Sequence, residues 1–246
     1  MDKSGAIPLN VQKRVRIPVQ EGEVVGRTGR TGIDFSVRDT ELVLPGFVVP
    51  EHYAGESWKI HSADLFEYFR EPLRSQLLAK DLRQAEPRGG KIDYDIDGRL
   101  VGNWFVAGTN GYAGLTRGEG YWKTHLAIAY DALDPTGIVV SIGDWRGEAR
   151  QFGVQGNAPD PKDVNIATGL VKYELLQPDW VVARTGKRWD RWRYADGLSF
   201  KPHVERVEGV ILLQLVAPRT LKVATFPGKT ALDVDDFAGA AKLYER

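Results

Sequence analysis

From residue 98 to the end, the chain alternates short apolar segments with turn signals. Such segments lie at 99–106, 124–130, 137–143, 150–155, 169–176, 208–217, 220–226 and 240–245. Asp-Pro, Gly-Asn and Pro-Gly steps separate most of them. Eight antiparallel strands are enough to close a barrel whose interior holds side chains or one small ligand. Closure also removes the unpaired edges that would invite aggregation. The breaks at 156–168 and 177–207 read as loops, and the second carries Trp180, Trp189 and Trp192 among Arg and Lys.

The first ninety residues have a different texture. Val15–Val19 reads as a short strand, Glu21–Gly26 as a turn into a second, and Ile33–Arg38 alternates with the period of a half-buried strand. Glu41–Pro50 is apolar and bracketed by prolines, as in an extended edge. A helix is predicted to start at Ser62, its N-cap, with Asp64 near the positive helix end. Pro72–Asp81 has the strongest helical pattern, with Pro in the first turn and Leu73, Leu77 and Leu78 on one face. Pro87 and Gly89-Gly90 then mark a linker, dividing the chain into 1–90 and 91–246.

Composition limits the functions available. Over 246 residues, 33 basic and 33 acidic side chains cancel, so the whole chain has no net footprint for nucleic acid or an anionic membrane. No apolar run approaches the roughly 18 residues of a membrane-spanning helix. Met1-Asp-Lys-Ser4 is polar and no apolar stretch follows it, which is not the pattern of a signal peptide. Cysteine is absent, which excludes disulfides, thiolate nucleophiles and cysteine metal sites and leaves the compartment open.

Gly98-Arg-Leu-Val-Gly-Asn-Trp-Phe105 at the head of the strand series carries a family resemblance. A Gly-x-Trp on a first strand, with an Arg on the last, resembles the lipocalin and wider calycin barrels over about residues 98–246. The resemblance implies an eight-stranded antiparallel lipocalin-like barrel. In it Gly102 bends the chain at the base, Trp104 plugs the closed end and Arg246 lies over the indole. The helix of classical lipocalins between the late strands and a C-terminal cysteine pair have no counterpart here. A second resemblance covers about 15–40. Val19–Gly29 followed by Ile33–Val37 is similar to a hairpin of lysostaphin-like zinc endopeptidases. The family's two histidine positions fall on Gly32 and Asp34, so this resemblance implies a truncated, degenerate segment without its zinc ligands. Together the two resemblances suggest a bacterial cell-envelope protein in a periplasmic or extracellular setting.

Chemical motifs are sparse. His52, His61, His125 and His203 show no metal-pair spacing, and no metal or cofactor is expected. Gly-x-Ser-x-Gly is absent, and neither Gly29–Gly32 nor the Gly108–Gly120 stretch has the strand–loop–helix setting of a phosphate cradle. Asp93, Asp95 and Asp97 alternate as on the exposed face of a strand, short of a calcium loop. His125 heads a strand and shares a face with Ala127 and Ala129, over which a cavity is expected. With Trp122, Tyr130, Trp145, Gln151 and Tyr173 it forms the expected ligand-binding set. The function expected is non-catalytic binding of a small apolar or amphipathic ligand in the barrel. One alternative is a structural or interaction module with a filled barrel, binding a protein or glycan through the Trp180–Tyr194 loop. The other is an enzyme with His125 as acid–base group.

Overall fold

The structure is a computed structural model that describes residues 16, 18–27, 34–114, 122–237, 239 and 241–246. Residues Met1–Phe35 and Ser36–Arg246 form separate compact units. In the first, a turn follows Gln20: its carbonyl accepts from the Glu23 N–H at 3.0 Å, and the Glu23 carboxylate accepts from the Gln20 N–H at 2.9 Å. No strand forms among the described residues of this unit. The strand predicted to follow the turn at 21–26 does not form among them, and of the strand predicted at 33–38 only Val37–Arg38 is a strand. Val15, Ile17 and 28–33, which carry part of the predicted strands and of the peptidase-like hairpin, lie outside the described residues.

The second unit opens with a two-stranded sheet, β1 (Val37–Arg38) paired with β2 (Ser62–Ala63). Ser62 therefore starts no helix. Asp64 is the cap instead, accepting from the Phe66 N–H at 3.0 Å to begin a 3-10 turn over Leu65–Tyr68. The predicted helix at Pro72 is present as α1 (Leu73–Leu78). The Pro87–Gly90 stretch, read as a linker, is a turn within the unit. Arg83, almost fully buried, donates to the Pro87 and Ala132 carbonyls at 2.7 Å each, and Arg88 donates to Leu78 and Arg83.

Eight strands then close a barrel: β3 (Gly102–Val106), β4 (His125–Tyr130), β5 (Ile138–Trp145), β6 (Glu148–Val154), β7 (Val171–Leu176), and, after a short hairpin of β8 (Trp180–Val182) and β9 (Leu198–Phe200), β10 (Val207–Ala217), β11 (Thr220–Pro227) and β12 (Lys242–Glu245). Each barrel strand is antiparallel to its neighbours, and β12 returns to β3 through Tyr244↔Val106 and Glu245↔Phe105. All eight segments read from the sequence are strands of this barrel. The hairpin β8–β9 was not foreseen, because its strands are three residues each and carry no alternation long enough to register.

The lumen is a packed core. Leu126, Ile128, Val140, Ile142, Val171, Tyr173, Leu175, Ile211, Leu213, Leu221 and Val223 all point inward and are buried. A crevice of about 60 Å³ lies where Leu126, Ile142, Ile211, Val223 and Tyr244 meet the more outward Asp144, Thr225 and Lys242. The inward side chains form one contiguous buried cluster, so the interior is a core of packed side chains.

The closed end is built as the motif implied. Gly102 takes a φ of 117°, a backbone region that only glycine enters without strain, and its missing Cβ makes room for Asp95. Trp104 is fully buried and donates from Nε1 to the Leu100 carbonyl at 2.8 Å. The Arg246 guanidinium lies 3.9 Å from the indole centroid. It donates to the carbonyls of Ile96 at 2.9 Å and Val101 at 2.7 Å, with a longer bond to Asn103. Burial lowers its pKa to about 10, an effect the Asp95 carboxylate partly offsets, so it stays charged.

Asp93 and Asp95 are buried, contrary to the exposed face expected of them. They staple the 46–48 segment to the barrel. Asp93 accepts from the Gly46 N–H at 2.9 Å, and Asp95 from the N–H groups of Val48 at 3.2 Å and Asn103 at 2.7 Å. Only Asp97 faces solvent, in a two-pronged pair with Arg219. No group of three or more acidic or histidine side chains suited to a metal occurs among the described residues.

Candidate functional site at the barrel mouth

The end opposite Trp104 is plugged by Trp145. Between Ile142 and Trp145, two residues of β5 face one of β6, a bulge that shifts the alternation. Asp144 is thereby left outside and Trp145 turns into the core, where its ring packs 4.7 Å from Phe152. Across the lumen, a Cβ on Gly209 would sit 2.8 Å from Cη2 of Trp145, so the glycine gives the indole its space.

Beside this plug the wall is notched. β6 and β7 pair only at Gly153↔Leu176 and Val154↔Leu175, so residues 148–152 rise past the end of β7 with no ladder partner on that edge among the described residues. The notch opens a cleft of about 540 Å³ lined by Arg150, Gln151, Phe152, Gln177, Pro178, Trp180, Arg191, Arg206 and Glu208. A second hollow of about 360 Å³ shares Arg150, Arg206 and Glu208 and adds Trp145, Arg146 and Glu148.

The charges follow from strand ends meeting at the mouth. Arg146 lies in the β5–β6 turn, Arg150 on β6, Arg206 just before β10 and Arg191 in the β8–β9 loop, its guanidinium 5.1 Å from the Trp180 ring centroid. Trp180 is itself fixed by a 2.9 Å bond from Nε1 to Asp131. Against these four arginines stand two carboxylates, Glu148 at 3.8 Å from Arg150 and Glu208 at 3.2 Å from Arg206. The cleft thus combines an excess of guanidinium with a floor of aromatic and proline faces, the chemistry of a site for an anionic group attached to an apolar body.

The structure scatters the ligand-binding set drawn from the sequence. Gln151 lines the cleft and Trp145 the adjoining hollow. Tyr173 is buried in the core and donates to the Pro159 carbonyl at 2.6 Å. Tyr130 packs at the closed end, donating to Asp160 at 2.5 Å. Trp122 is exposed outside the barrel. His125 points outward with Ala127 and Ala129, because Leu126 and Ile128 take the inner face, so no cavity lies over that row. It bonds to Asn103 at 2.9 Å and packs against the Phe105 and Tyr112 rings. Burial, with the nearby Lys59 charge, pushes its pKa down to about 3. Arg191 lies in the Trp180–Tyr194 loop that the sequence marked for binding, whereas Arg146, Arg150, Arg206 and Glu208 were missed as site residues. Their local signal was charge at the start of predicted strands, as in Trp145-Arg-Gly-Glu-Ala-Arg150 and Glu205-Arg-Val-Glu208.

No family model matches the chain, and no curated protein or solved structure is similar to it at a significant level.

Proposed function

We propose that this protein binds, without chemistry on it, a small amphipathic molecule carrying an anionic group, and that the site is the cleft at the barrel mouth. The observation that carries the reading is the convergence of Arg150, Arg191 and Arg206 on a cleft lined by Phe152, Pro178 and Trp180, with Arg146 in the adjoining hollow. The anionic group would be held by forked guanidinium bonds and the apolar part against the ring faces. We also propose a calycin-type relationship, supported by the Gly102, Trp104 and Arg246 arrangement at the closed end.

The test compares dodecanoate with dodecanol, equal in chain length but different in charge, by thermal unfolding. Saturating dodecanoate should raise the Tm by about 5–10 °C, dodecanol should not, and Arg150→Ala with Arg206→Ala should abolish the rise without lowering the unliganded Tm. A response to neither compound would favour a second reading, a structural module, for which the packed lumen speaks.

A further inference from the structure

The β8–β9 hairpin ends in a loop unlike the rest of the surface. Residues 183–197, between the two strands, carry Arg184, Lys187, Arg188, Arg191 and Arg193 against Asp190 and Asp196, a net charge of +3 (five minus two) in a chain whose net charge is zero. Every one of these charged side chains is exposed. At the tip Trp192 is 88 % exposed, and Tyr194 is exposed beside it.

The loop is built to hold Trp192 outward. Asp190 closes a turn, its carboxylate accepting from the Trp192 N–H at 3.1 Å and its carbonyl from the Arg193 N–H at 2.8 Å. Trp189 braces the turn by donating from Nε1 to the Arg193 carbonyl at 2.9 Å. Tyr194 ties it to α1 through a 3.0 Å bond to the Ala79 carbonyl. At the hairpin's base, Arg188 pairs with Asp179 at 2.8 Å, and Val182 and Val181 are bridged to Lys187 and Arg188. A braced turn that keeps an indole in water leaves its apolar surface for a partner.

We propose that this tip docks the protein on an anionic phospholipid surface, with Trp192 entering the headgroup layer and the surrounding basic side chains meeting lipid phosphates. Indole rings settle at the membrane–water interface because one end is apolar and the other polar. Each basic residue near an anionic leaflet strengthens attachment about fivefold. The tip is a turn with Trp192 projecting farthest, and most of its charged side chains are cations. That geometry suits a charged plane better than a sugar, which needs a flat aromatic platform with mixed hydrogen-bonding groups. Arg191 belongs to both the tip and the cleft wall, so docking places the cleft next to the lipid, though the docking itself does not depend on what the cleft binds.

The experiment is flotation of the purified full chain with vesicles of phosphatidylcholine alone and of phosphatidylcholine mixed with phosphatidylglycerol. The wild type should float with the mixed vesicles only, and less as salt rises. Trp192→Ala and the pair Arg184→Glu, Lys187→Glu, all at exposed positions, should each reduce flotation at least about fivefold while leaving the melting curve unchanged. No flotation of the wild type, or undiminished flotation of both variants, would overturn the proposal. So would loss of flotation in Arg150→Ala with Arg206→Ala and not in Trp192→Ala, since the lipid would then be held by the cleft. Trp192-dependent binding of a soluble oligosaccharide without flotation would overturn it in favour of a glycan.

Discussion

The guanidinium of Arg246 donates to carbonyls of the segment 96–103 and covers Trp104, so one residue both satisfies buried acceptors and closes the barrel base. Arg246→Ala should cost about 3 kcal/mol in urea unfolding, from a desolvated cation–π contact and carbonyls left unpaired. Arg246→Lys should recover less than half, because a single ammonium cannot fork to several carbonyls. Full recovery by Lys would mean that charge over the indole is all that counts. His125 gives a pH signature. Its folded pKa of about 3 lies below the value near 6.5 of an unfolded histidine. Between these values the unfolded chain binds the proton and the native one does not. The group therefore stabilises the fold above about pH 6.5 and loses that contribution as pH falls towards 3, by at most about 1.4 kcal/mol per pH unit. A stability–pH curve for His125→Gln should be flatter than the wild type's over that window. An unchanged acid slope would place the proton elsewhere.

Strand length and bulge position shape the mouth. The β5 bulge turns Trp145 inward and Gly209 on β10 makes way for it. Gly209→Val should expel the indole and cost about 1–3 kcal/mol. The near-ultraviolet circular dichroism should lose intensity, and an unaltered spectrum would show that the ring is not held as a plug. The β8–β9 hairpin lies on a second pair of glycines. Phe200 occupies the space over Gly137 and Gly153, and Pro202 that over Gly153. Gly153→Val should lift the hairpin from the wall. Trypsin would then cut at Arg184–Arg193 faster in the variant than in the wild type, and equal rates would sink the idea. Strand periodicity made the eight barrel strands legible in the sequence. The hairpin and the bulge were not, since each depends on two or three residues whose role is set by the neighbour they meet.

At the scale of the molecule, the filled lumen and the net charge each point to the surface. With its inward side chains packed as one buried core, the barrel is filled by its own residues. Uncharged retinol should accordingly leave the Tm unchanged, and a saturable stabilisation by it would show that the core opens. The charge balance of zero describes the sum and hides its distribution. Four arginines converge at the mouth and a net +3 sits on the β8–β9 loop.

The sequence by itself determined the barrel, its eight strands and its closed end, because period-two alternation and a Gly-x-Trp step are local patterns that survive any arrangement of the rest. His125 shows the limit of such patterns: alternation grouped it with Ala127 and Ala129 without saying which face was inner, and burial of Leu126 and Ile128 settled that. Only the tertiary structure decided that the lumen is a packed core, that Asp93 and Asp95 are staples, and that arginines from three separate segments meet at the mouth. Each of these depends on which distant strand ends barrel closure and stagger bring together, and that information resides in no single stretch of chain.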